Sequence, residues 1–524
     1  MPNDASVAMF PSVQRAQGVA DLLDFRSRSH GPKEALVCGD ERITYGQLYE
    51  RARSVAGQLQ SLGIVPGDRV GLFLPNCVEY VAAFFGAVGM GCIVVPVNPL
   101  LKSEEIAHIL ADAEAKALIV HELLIPGSIE ALPQLPGMQA IIVVPAGANG
   151  IGNLPATTVK IVEAEKSKFF KGTWPKQIDS AHDAAVIVYT SGTTGKPKGA
   201  VLTHNNLMSI FPARLDILDI DEKDRCLGVL PLCHIYGMTV VMLGSVAKAS
   251  TLVIVPRFDC KLILETIERE GVTLLPAVPT MYQFMLAELA QNHHDVSTVR
   301  ICFSGAAPLP AEAIGKIEEA FGAPVIEGYA LTETACAATI NPLHGDRKPG
   351  SVGPALPGVQ IGILDANKIP LPAGKEYVGE IAISGPNVMT GYYKQRASSA
   401  EVLHESWFLT GDLGYKDEDG YLYIVGRKKE LIIRGGANIY PREVEDAIMR
   451  LPGVREVAVI GVPDSNMGER VKAVVVRAHD ALTEDDVKAH CTKLLADYKV
   501  PRLVEFVPLL PRNSTGKVLK RLLS

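Results

Sequence analysis

Paired cysteines, a strong net charge and long apolar runs are all missing from this sequence of 524 residues. The nine cysteines are scattered and none forms a C-x-x-C pair, which argues against a zinc site or a disulfide framework and fits a reducing cytosol. The formal net charge is −7, which argues against nucleic acid as a partner, because nucleic-acid binding needs a basic surface.

Signals for export and membrane insertion are missing as well. The N-terminal region has no basic segment followed by an apolar one, so no signal peptide is expected. No apolar run approaches the roughly 18–20 residues that span a bilayer. We therefore expect a cytoplasmic protein without an integral membrane segment, while peripheral membrane contact and a homodimer stay open.

The length and composition predict a globular protein with more than one domain. A hydrophobic content of 48% and a charged content of 21% are typical of soluble folds. A chain of 524 residues exceeds what a single core normally supports.

Short apolar strands alternate with helical patterns along most of the chain. This alternation predicts stacked βαβ units with parallel sheets, which is an α/β fold. The predicted strands are 69–74, 92–97, 117–120, 227–232, 252–255, 274–275, 301–303 and 325–326. The predicted helices are 48–62, 78–88, 104–113 and 238–246, followed by an antiparallel β subdomain over 379–409. Residues 144–180 are rich in Gly, Pro and Lys and predict a surface connection.

The character of the chain changes at a charged run near Lys429. The predicted domains are therefore residues 1–428 and 429–524. A surface charge run inside one large domain is the alternative that the residues alone leave open. The second domain has a small α+β pattern, namely helix 441–450, strands 456–462 and 472–477, helix 483–496 and a strand near 503–507.

The segment 189–200 reads Tyr-Thr-Ser-Gly-Thr-Thr-Gly-Lys-Pro-Lys-Gly-Ala and follows an apolar strand at 184–188. Glycines let backbone N–H groups crowd around an anion, hydroxyls donate to phosphate oxygens, and lysines neutralise their charge. The segment predicts a polyphosphate-binding loop, with a solvated Gly/Thr hairpin as the alternative. Its glycine spacing and Pro197 exclude a Walker A loop. The candidate binding residues here are Thr190, Ser191, Gly192, Thr193, Thr194, Gly195 and Lys198.

This loop resembles the signature loop of the adenylate-forming superfamily, which comprises acyl-CoA synthetases, adenylation domains of peptide synthetases and firefly luciferase. In that superfamily the loop holds the β- and γ-phosphates of ATP. The resemblance extends from about residue 22 to 523 through seven ordered motifs. It implies a large N-terminal domain of stacked βαβ sheets with a β subdomain, and a small mobile α+β C-terminal domain.

Small residues follow the predicted strand at 301–303. Gly305, Ala306 and Ala307 leave room for a flat ring at the carboxyl edge of a sheet, where ligands bind in open α/β folds. A plain turn is the alternative. In the superfamily this segment lines the adenine slot.

A second motif, residues 327–334, follows the strand at 325–326. The candidate nucleotide-binding residues of this motif are Glu327, Gly328 and Tyr329. The ring of Tyr329 can cover a purine face. The motif resembles the Gly-Tyr-Gly-x-Thr-Glu pattern of the superfamily, except that Ala330 replaces the commoner glycine near the expected acyl pocket.

The same motif supplies candidates for phosphate and metal binding. Thr332 can donate to an α-phosphate, and Glu333 offers a hard oxygen ligand to magnesium, the natural partner of ATP. Thr190 is the second candidate magnesium ligand. A solvated loop carboxylate is the alternative for Glu333.

Candidate ribose and adenine contacts lie before the predicted domain boundary. Asp412 follows a short strand and is suited to accept from both ribose hydroxyls. Arg427 can reach a nucleotide with its fork of donors. Both match ribose-contacting positions of the superfamily, and Ile424 matches a position that packs near adenine.

The resemblance also implies roles for residues that would otherwise be assigned to structure. Lys517, in a loop near the C-terminus, matches the lysine that stabilises charge as the carboxylate attacks phosphorus. His234 matches a position that borders the carboxylate and gates the acyl or pantetheine passage. Lys429 matches the hinge of the small domain, and Gly436 matches the glycine beside the pantetheine tunnel.

These matches imply an ATP-dependent ligase. A carboxylic acid and Mg-ATP give an acyl-adenylate and pyrophosphate; the C-terminal domain then rotates, and the thiol of coenzyme A displaces AMP. The chain looks most similar to bacterial medium- or long-chain fatty acyl-CoA synthetases over residues 231–237, 328–333 and 385–393. An open apolar pocket is indicated by small residues, namely Gly305, Ala306, Ala330, Ala335, Ala337 and Ala338.

Three alternatives stay open. The chain is compatible with a 4-coumarate-like aryl-CoA ligase, with an acyl-AMP ligase that loads a carrier-protein thiol, and with a non-catalytic nucleotide sensor. The sequence shows no obvious cation for a second carboxylate, which disfavours malonate. It shows no obvious acidic anchor for an amine, which disfavours amino acids.

Overall fold

The structure, a computed structural model, describes residues 16–146, 159–165, 170–190, 197–209, 211–512 and 518–523. The chain divides into two compact units. Unit 1 comprises the described parts of Met1–Arg347, Leu356–Gln360 and Ser384–Phe408, and unit 2 those of Lys348–Ala355, Ile361–Ile383 and Leu409–Ser524. The predicted boundary between residues 1–428 and 429–524 lies at the expected hinge, Lys429, and it stays a prediction.

The helices of the described chain carry the apolar periodicity that the sequence shows. The α-helices are α1 (Val19–Ser29), α2 (Tyr45–Ser61), α3 (Val78–Gly89), α4 (Ser103–Asp112), α5 (Ile125–Ala131), α6 (His204–Met208), α7 (Phe211–Ile217), α8 (Gly244–Lys248), α9 (Cys260–Glu270), α10 (Pro279–Leu289), α11 (Ala311–Phe321), α12 (Arg396–Val402), α13 (Pro441–Met449) and α14 (Glu484–Leu494). A π-helix spans Tyr236–Leu243, and short 3₁₀ turns span Glu122–Leu124, Leu132–Gln134, Thr332–Thr334, Lys428–Glu430, Asp497–Lys499 and Lys520–Leu522. None of the helices within these ranges is long and apolar enough to cross a membrane.

The strands are mostly short and buried. They are β1 (Glu34–Cys38), β2 (Glu41–Thr44), β3 (Arg69–Phe73), β4 (Ile93–Pro96), β5 (Ala115–His121), β6 (Ala140–Val144), β7 (Lys160–Glu163), β8 (Ala184–Thr190), β9 (Lys198–Thr203), β10 (Arg225–Gly228), β11 (Thr251–Ile254), β12 (Leu274–Ala277), β13 (Ile301–Ser304), β14 (Val325–Tyr329), β15 (Thr339–Ile340), β16 (Gln360–Leu364), β17 (Gly379–Ser384), β18 (Gly391–Tyr392), β19 (Leu403–His404), β20 (Trp407–Lys416), β21 (Leu422–Arg427), β22 (Ile432–Arg434), β23 (Ala437–Ile439), β24 (Val454–Asp464), β25 (Gly468–Arg477) and β26 (Leu503–Phe506). Strand β7 lies inside the segment 144–180, which the sequence predicted as a connection.

Unit 1 contains two mixed sheets with parallel centres. The first sheet has the order β15-β14-β13-β12-β10-β11-β1-β2, and the second has the order β18-β9-β8-β4-β3-β5-β6-β7. Helix α3 is buried along its whole length and contacts β1 of the first sheet and β3 and β4 of the second. A helix that is buried and apolar apart from Glu79 is stable only inside a core, so the prediction of stacked βαβ sheets is confirmed.

Local capping explains why α2 begins at Tyr45, three residues before the predicted start at 48. The Thr44 hydroxyl accepts from Gln47 N–H at 3.2 Å, and the Gln47 side-chain oxygen accepts from Thr44 N–H at 2.9 Å. This reciprocal capping satisfies two N–H groups that the first turn leaves unpaired.

Two predicted elements of unit 1 were wrong in extent or type. The strand predicted at 227–232 ends at Gly228, because the Asn76 side chain takes over the polar backbone groups that follow. Its Nδ2 donates to the Leu230 carbonyl oxygen at 3.0 Å, and its Oδ1 accepts from Leu232 N–H at 2.9 Å. The helix predicted at 238–246 is a π-helix that continues into α8.

Unit 2 contains a β subdomain and the small α+β pattern. The range 379–409 predicted for the β subdomain was wrong in extent, because Ser384–Phe408 belongs to unit 1 and includes β18 and α12. Strand β17 lies between β16 and β20, and β21 pairs with β20 in antiparallel register. Strands β22 to β26 form a second sheet of order β23-β22-β25-β24, with β26 parallel to β25. Helices α13 and α14 cover this sheet through a buried cluster that includes Val444, Ile448, Val475 and Val487.

Candidate active site

The carboxyl edge of the first sheet brings several predicted site segments together. Strands β12, β13 and β14 run parallel to β10, so the segments that follow them leave the same edge of the sheet. These segments carry His234 after β10, Ala306 after β13 and Glu333 after β14. Ligands of open α/β sheets bind at this edge.

Contact between the β10 and β13 segments is direct. A Cβ atom on Gly305 would lie 3.2 Å from Cε1 of the Tyr236 ring, so a side chain at 305 would press on that tyrosine. Ala306 has a φ of +68°, a conformation that non-glycine residues seldom adopt outside functional or strained sites. Ala306 and Ala307 are exposed. The predicted adenine slot therefore has a small, open and strained backbone.

The turn that carries His234 is tight. A Cβ atom on Gly237 would overlap the carbonyl oxygen of Pro231, which explains the glycine at the end of this motif. The His234 Nδ1 accepts from Tyr236 N–H at 3.2 Å, so the neutral ring carries its proton on Nε2. His234 keeps part of its surface accessible, but burial of the ring lowers its pKa to about 4. At neutral pH it is a neutral hydrogen-bonding group.

Strand β14 places the second predicted motif beside the first. Gly328 pairs with Ile340 of β15, and a Cβ atom on Gly328 would lie 2.8 Å from the Thr339 carbonyl oxygen. Glycine is therefore required by the pairing of the two strands. Glu327 is half-buried, and Tyr329 is 8% exposed.

The 3₁₀ turn Thr332–Thr334 presents Thr332 and Glu333, both half-buried. The Tyr392 hydroxyl donates to Glu333 Oε1 at 2.9 Å, and Met389 N–H donates to the Glu333 carbonyl oxygen at 2.8 Å. Tyr392 was missed by the sequence analysis, because it lies 59 residues away from Glu333 along the chain.

The predicted phosphate loop joins β8 and β9, which form an antiparallel hairpin. Thr190 and Lys198 are opposite each other at its end, and Thr190 Oγ1 lies 3.5 Å from the Lys198 carbonyl oxygen. A Cβ atom on Gly199 would lie 3.0 Å from Cζ of Tyr189, so this glycine is needed for packing. The predictions for five loop residues lie outside the described residues, namely Ser191, Gly192, Thr193, Thr194 and Gly195.

A buried arginine beside the expected acyl pocket was also missed. Arg214 of α7 is 4% exposed, and its Nη2 donates to the Thr239 carbonyl oxygen at 3.3 Å. Burial lowers its pKa, and electrostatic interactions with Cys336, Tyr236 and Cys226 act in the opposite direction. The sequence shows one arginine in a short apolar helix, a pattern that carries no functional signal.

In unit 2, Asp412 and Arg427 are opposite each other on β20 and β21. Arg427 Nε lies 3.0 Å from Asp412 Oδ1, and Asp412 is 5% exposed. Ile424 pairs with Gly414 on the same two strands, and its carbonyl oxygen accepts from Arg442 Nη1 at 3.3 Å. The ribose and adenine candidates therefore share one hairpin.

The remaining candidates of unit 2 lie in turns. Gly436 is exposed between β22 and β23 with a φ of +82°, and a Cβ atom there meets no described atom within 4 Å. Lys429 is exposed in the turn Lys428–Glu430. The prediction for Lys517 lies outside the described residues.

Comparison with known proteins identifies the family to which this chain belongs. Residues 23–393 match the family described as AMP-binding enzyme, and residues 443–517 match the AMP-binding enzyme C-terminal domain. The chain belongs to the AMP-binding enzyme family. The predicted superfamily and fold class are thereby confirmed.

Two relatives and one solved structure illustrate the likeness of this AMP-binding enzyme to known proteins. A long-chain-fatty-acid–CoA ligase of Bacillus subtilis (strain 168) is 36% identical, with 93% of this chain and 91% of the relative covered. A feruloyl-CoA synthase of an Amycolatopsis species is also 36% identical, with 97% and 98% covered. The crystal structure of ATP-bound MatB from Rhodopseudomonas palustris superposes with a TM-score of 0.83 at 34% identity, with 96% and 98% covered.

This AMP-binding enzyme is an AMP-forming acid–thiol ligase whose cofactors are ATP, Mg²⁺ and coenzyme A. The described residues contain no group of three or more His, Cys, Asp or Glu side chains that would cage a metal alone. Magnesium in nucleotide enzymes is bound by one or two carboxylates together with substrate phosphates. The half-buried carboxylate of Glu333, with one oxygen held by a phenol, fits that kind of binding.

Proposed function

We propose that this AMP-binding enzyme activates a medium- or long-chain fatty acid and transfers it to coenzyme A. The observation that carries the proposal is the contact of Gly305 with Tyr236, because it joins the predicted adenine slot to the segment of His234. The π-helix that continues from Tyr236 is apolar, and Met238, Val241 and Met242 are fully buried in it. The fatty acid itself is inferred from the long-chain-fatty-acid–CoA ligase of Bacillus subtilis.

The residues of unit 1 are assigned roles by this proposal. The hydroxyl of Thr332 donates to the α-phosphate, and Glu333 and Thr190 bind magnesium, which offsets negative charge on the phosphates. The neutral His234 borders the substrate carboxylate. Lys198 and the residues 190–195 hold the β- and γ-phosphates.

The residues of unit 2 complete the proposal. Asp412 accepts from the ribose hydroxyls, Arg427 donates to the nucleotide, and Ile424 packs near adenine. Lys517 stabilises charge during adenylation, and Gly436 leaves room for pantetheine. Residues 429–524 rotate about Lys429 between the two half-reactions, so residues 1–428 and 429–524 are the functional domains.

A second candidate substrate is an aryl acid with a polar group at its far end. The Arg214 guanidinium is buried, and the charge of Tyr236 acts against the lowering of its pKa by burial, which supports a pocket that offers both an aromatic ring and a positive charge. The feruloyl-CoA synthase of an Amycolatopsis species is as similar to this chain as the fatty acid ligase is.

A panel of acids tests both candidates. Short to long fatty acids, hydroxycinnamates and dicarboxylates are each supplied with Mg-ATP, and AMP formation is measured with and without coenzyme A. The proposal expects the highest kcat/KM for fatty acids and AMP release that depends on coenzyme A. A preference for hydroxycinnamates supports the aryl candidate, and AMP release that needs a carrier-protein thiol overturns the choice of acceptor. No exchange of labelled pyrophosphate into ATP with any acid would refute the proposal.

The cellular setting is part of the proposal. All nine cysteines are free thiols in the structure, which supports a reducing cytoplasmic location. Fractionation of cells that express the chain tests this location and also any peripheral membrane contact. Analytical ultracentrifugation of the purified chain tests the homodimer.

A further inference from the structure

Residues 387–393, here called the bridging segment, run along the motif that follows β14. Asn387 Nδ2 donates to the Thr334 carbonyl oxygen at 3.2 Å. Met389 N–H donates to the Glu333 carbonyl oxygen at 2.8 Å. The backbone carbonyl groups of Glu333 and of the residue after it are therefore both bonded to this segment.

The other end of the bridging segment pairs with the hairpin of the phosphate loop. Thr390 N–H donates to the Val201 carbonyl oxygen at 3.1 Å, and Tyr393 N–H donates to the Gly199 carbonyl oxygen at 2.7 Å. These bonds make β18 the strand next to β9 in the second sheet. The segment therefore connects the candidate metal ligand with the candidate phosphate loop.

Tyr392 contacts both functional groups with one side chain. Its hydroxyl donates to Glu333 Oε1 at 2.9 Å, and Lys198 Nζ lies 5.2 Å from the centroid of its ring. The backbone of Tyr392 is also held, because Tyr392 N–H donates to Ser399 Oγ at 2.8 Å.

We propose that Tyr392 is a positioning residue for Mg-ATP, which aims the Glu333 carboxylate through its hydroxyl and holds the Lys198 ammonium against its ring. The inference rests on the proposed function, in which Glu333 binds magnesium. Outer-shell partners of this kind orient a metal ligand, and their loss typically lowers metal affinity about 10- to 100-fold. A lysine over a tyrosine ring is attracted to its electron-rich face, which is worth about a 2- to 5-fold change in affinity at a partly exposed site.

The next residue offers a matched control. The Tyr393 hydroxyl donates to Glu114 Oε2 at 3.3 Å, and Lys394 Nζ lies 5.3 Å from the Tyr393 ring centroid. Tyr393 thus has the same two kinds of partner, a carboxylate and a lysine, but neither is a candidate site residue. Tyr393→Phe removes the same hydroxyl from the same segment.

The test measures ATP binding by isothermal titration calorimetry over a series of Mg²⁺ concentrations, with pyrophosphate exchange measured in parallel. In Tyr392→Phe the Mg²⁺ concentration for half-maximal ATP binding should rise about 10-fold or more, while the affinity for ATP at saturating Mg²⁺ should recover. Tyr392→Leu should also weaken ATP binding about 2- to 5-fold at saturating Mg²⁺, because the face for Lys198 is lost. Tyr393→Phe should match the wild type.

A double-mutant cycle tests whether Tyr392 acts through Glu333. Glu333→Gln should itself raise the Mg²⁺ requirement, and Tyr392→Phe in that background should add nothing further. Wild-type Mg²⁺ dependence in Tyr392→Phe, or full additivity with Glu333→Gln, would overturn the inference. Failure of the proposed function gives a different result, namely a wild-type enzyme that exchanges no pyrophosphate with any acid.

Discussion

Arg427 Nε lies 3.0 Å from Asp412 Oδ1, and the two residues are directly opposite each other on β20 and β21. Asp412 is almost fully buried, while a third of the Arg427 side chain is exposed. The ion pair therefore holds a buried carboxylate and still leaves guanidinium donors accessible. The proposed function assigns this pair to the ribose and phosphate of the nucleotide.

Removal of the arginine should weaken nucleotide binding. In Arg427→Gln, the affinity for AMP should fall by about 1.5–3 kcal/mol, or roughly 10- to 100-fold, the range of a hydrogen bond to a charged group. Calorimetric titration with AMP measures this. Lys428→Gln is the matched control, because Lys428 is an exposed neighbour whose Nζ lies 2.8 Å from Glu380 Oε2. Equal affinities in the two variants would contradict the assignment of Arg427.

A side chain at 436 should separate the two half-reactions. Gly436→Leu places an L-residue at a φ of +82°, which costs about 1–2 kcal/mol of stability. It should abolish most thioester formation from supplied acyl-adenylate and spare pyrophosphate exchange. Gly420→Leu has the same backbone cost, since Gly420 has a φ of +83° and open space around its Cβ position. Thioester formation at the same rate in both variants would remove the role of Gly436.

Replacement of Lys517 should impair adenylation and spare thioester formation, which is the opposite of the effect expected for Gly436→Leu. Lys517→Ala should lower the rate of adenylation by about 100-fold or more, the scale of losing a preorganised donor of positive charge. It should spare thioester formation from acyl-adenylate, because that step forms no bond to phosphorus. Lys493→Ala removes an exposed lysine of α14 and should leave both rates unchanged. Equal loss of both half-reactions in Lys517→Ala would count against its proposed role.

Acid should destabilise the protein through His204. This residue is 2% exposed, its Nδ1 accepts from Val19 N–H at 3.1 Å, and burial lowers its pKa to about 4. The contribution of neutral His204 to the free energy of unfolding is fully present above the unfolded pKa of about 6.5. It is lost as the pH falls from there through about 4, because the unfolded chain binds the proton at a higher pH than the folded chain does. The full loss amounts to about 3 kcal/mol.

Urea unfolding between pH 4 and 7.5 measures this contribution. His204→Gln should show a shallower loss of unfolding free energy in that range than the wild type. His182 is exposed, so His182→Gln should show the same pH dependence of the unfolding free energy as the wild type. Identical slopes for His204→Gln and the wild type would show that another group carries the acid sensitivity.

Much of the fold was predictable because the signals are local. The helical pattern from Leu48 to Leu62 finds α2 with its start three residues late, and the apolar runs mark the strands of both sheets. The edge that joins His234, Ala306 and Glu333 also followed, since parallel strands end on one side of a sheet. The π-helix at Tyr236–Leu243 did not follow, because its hydrophobic pattern is that of any buried helix.

The sequence by itself determined the order of strands and helices, the phosphate-loop motif, and family membership, since each depends on residues that are neighbours along the chain. Only the tertiary structure decided that the Tyr392 hydroxyl donates to Glu333, that Arg214 is buried with its Nη2 on the Thr239 carbonyl oxygen, and that Asn76 ends β10. The contacts of Tyr392 with Glu333 and of Asn76 with Leu230 join residues separated by 59 and 154 positions. Their formation depends on how strands and helices pack, and the residue types alone do not encode which distant partner each polar group meets.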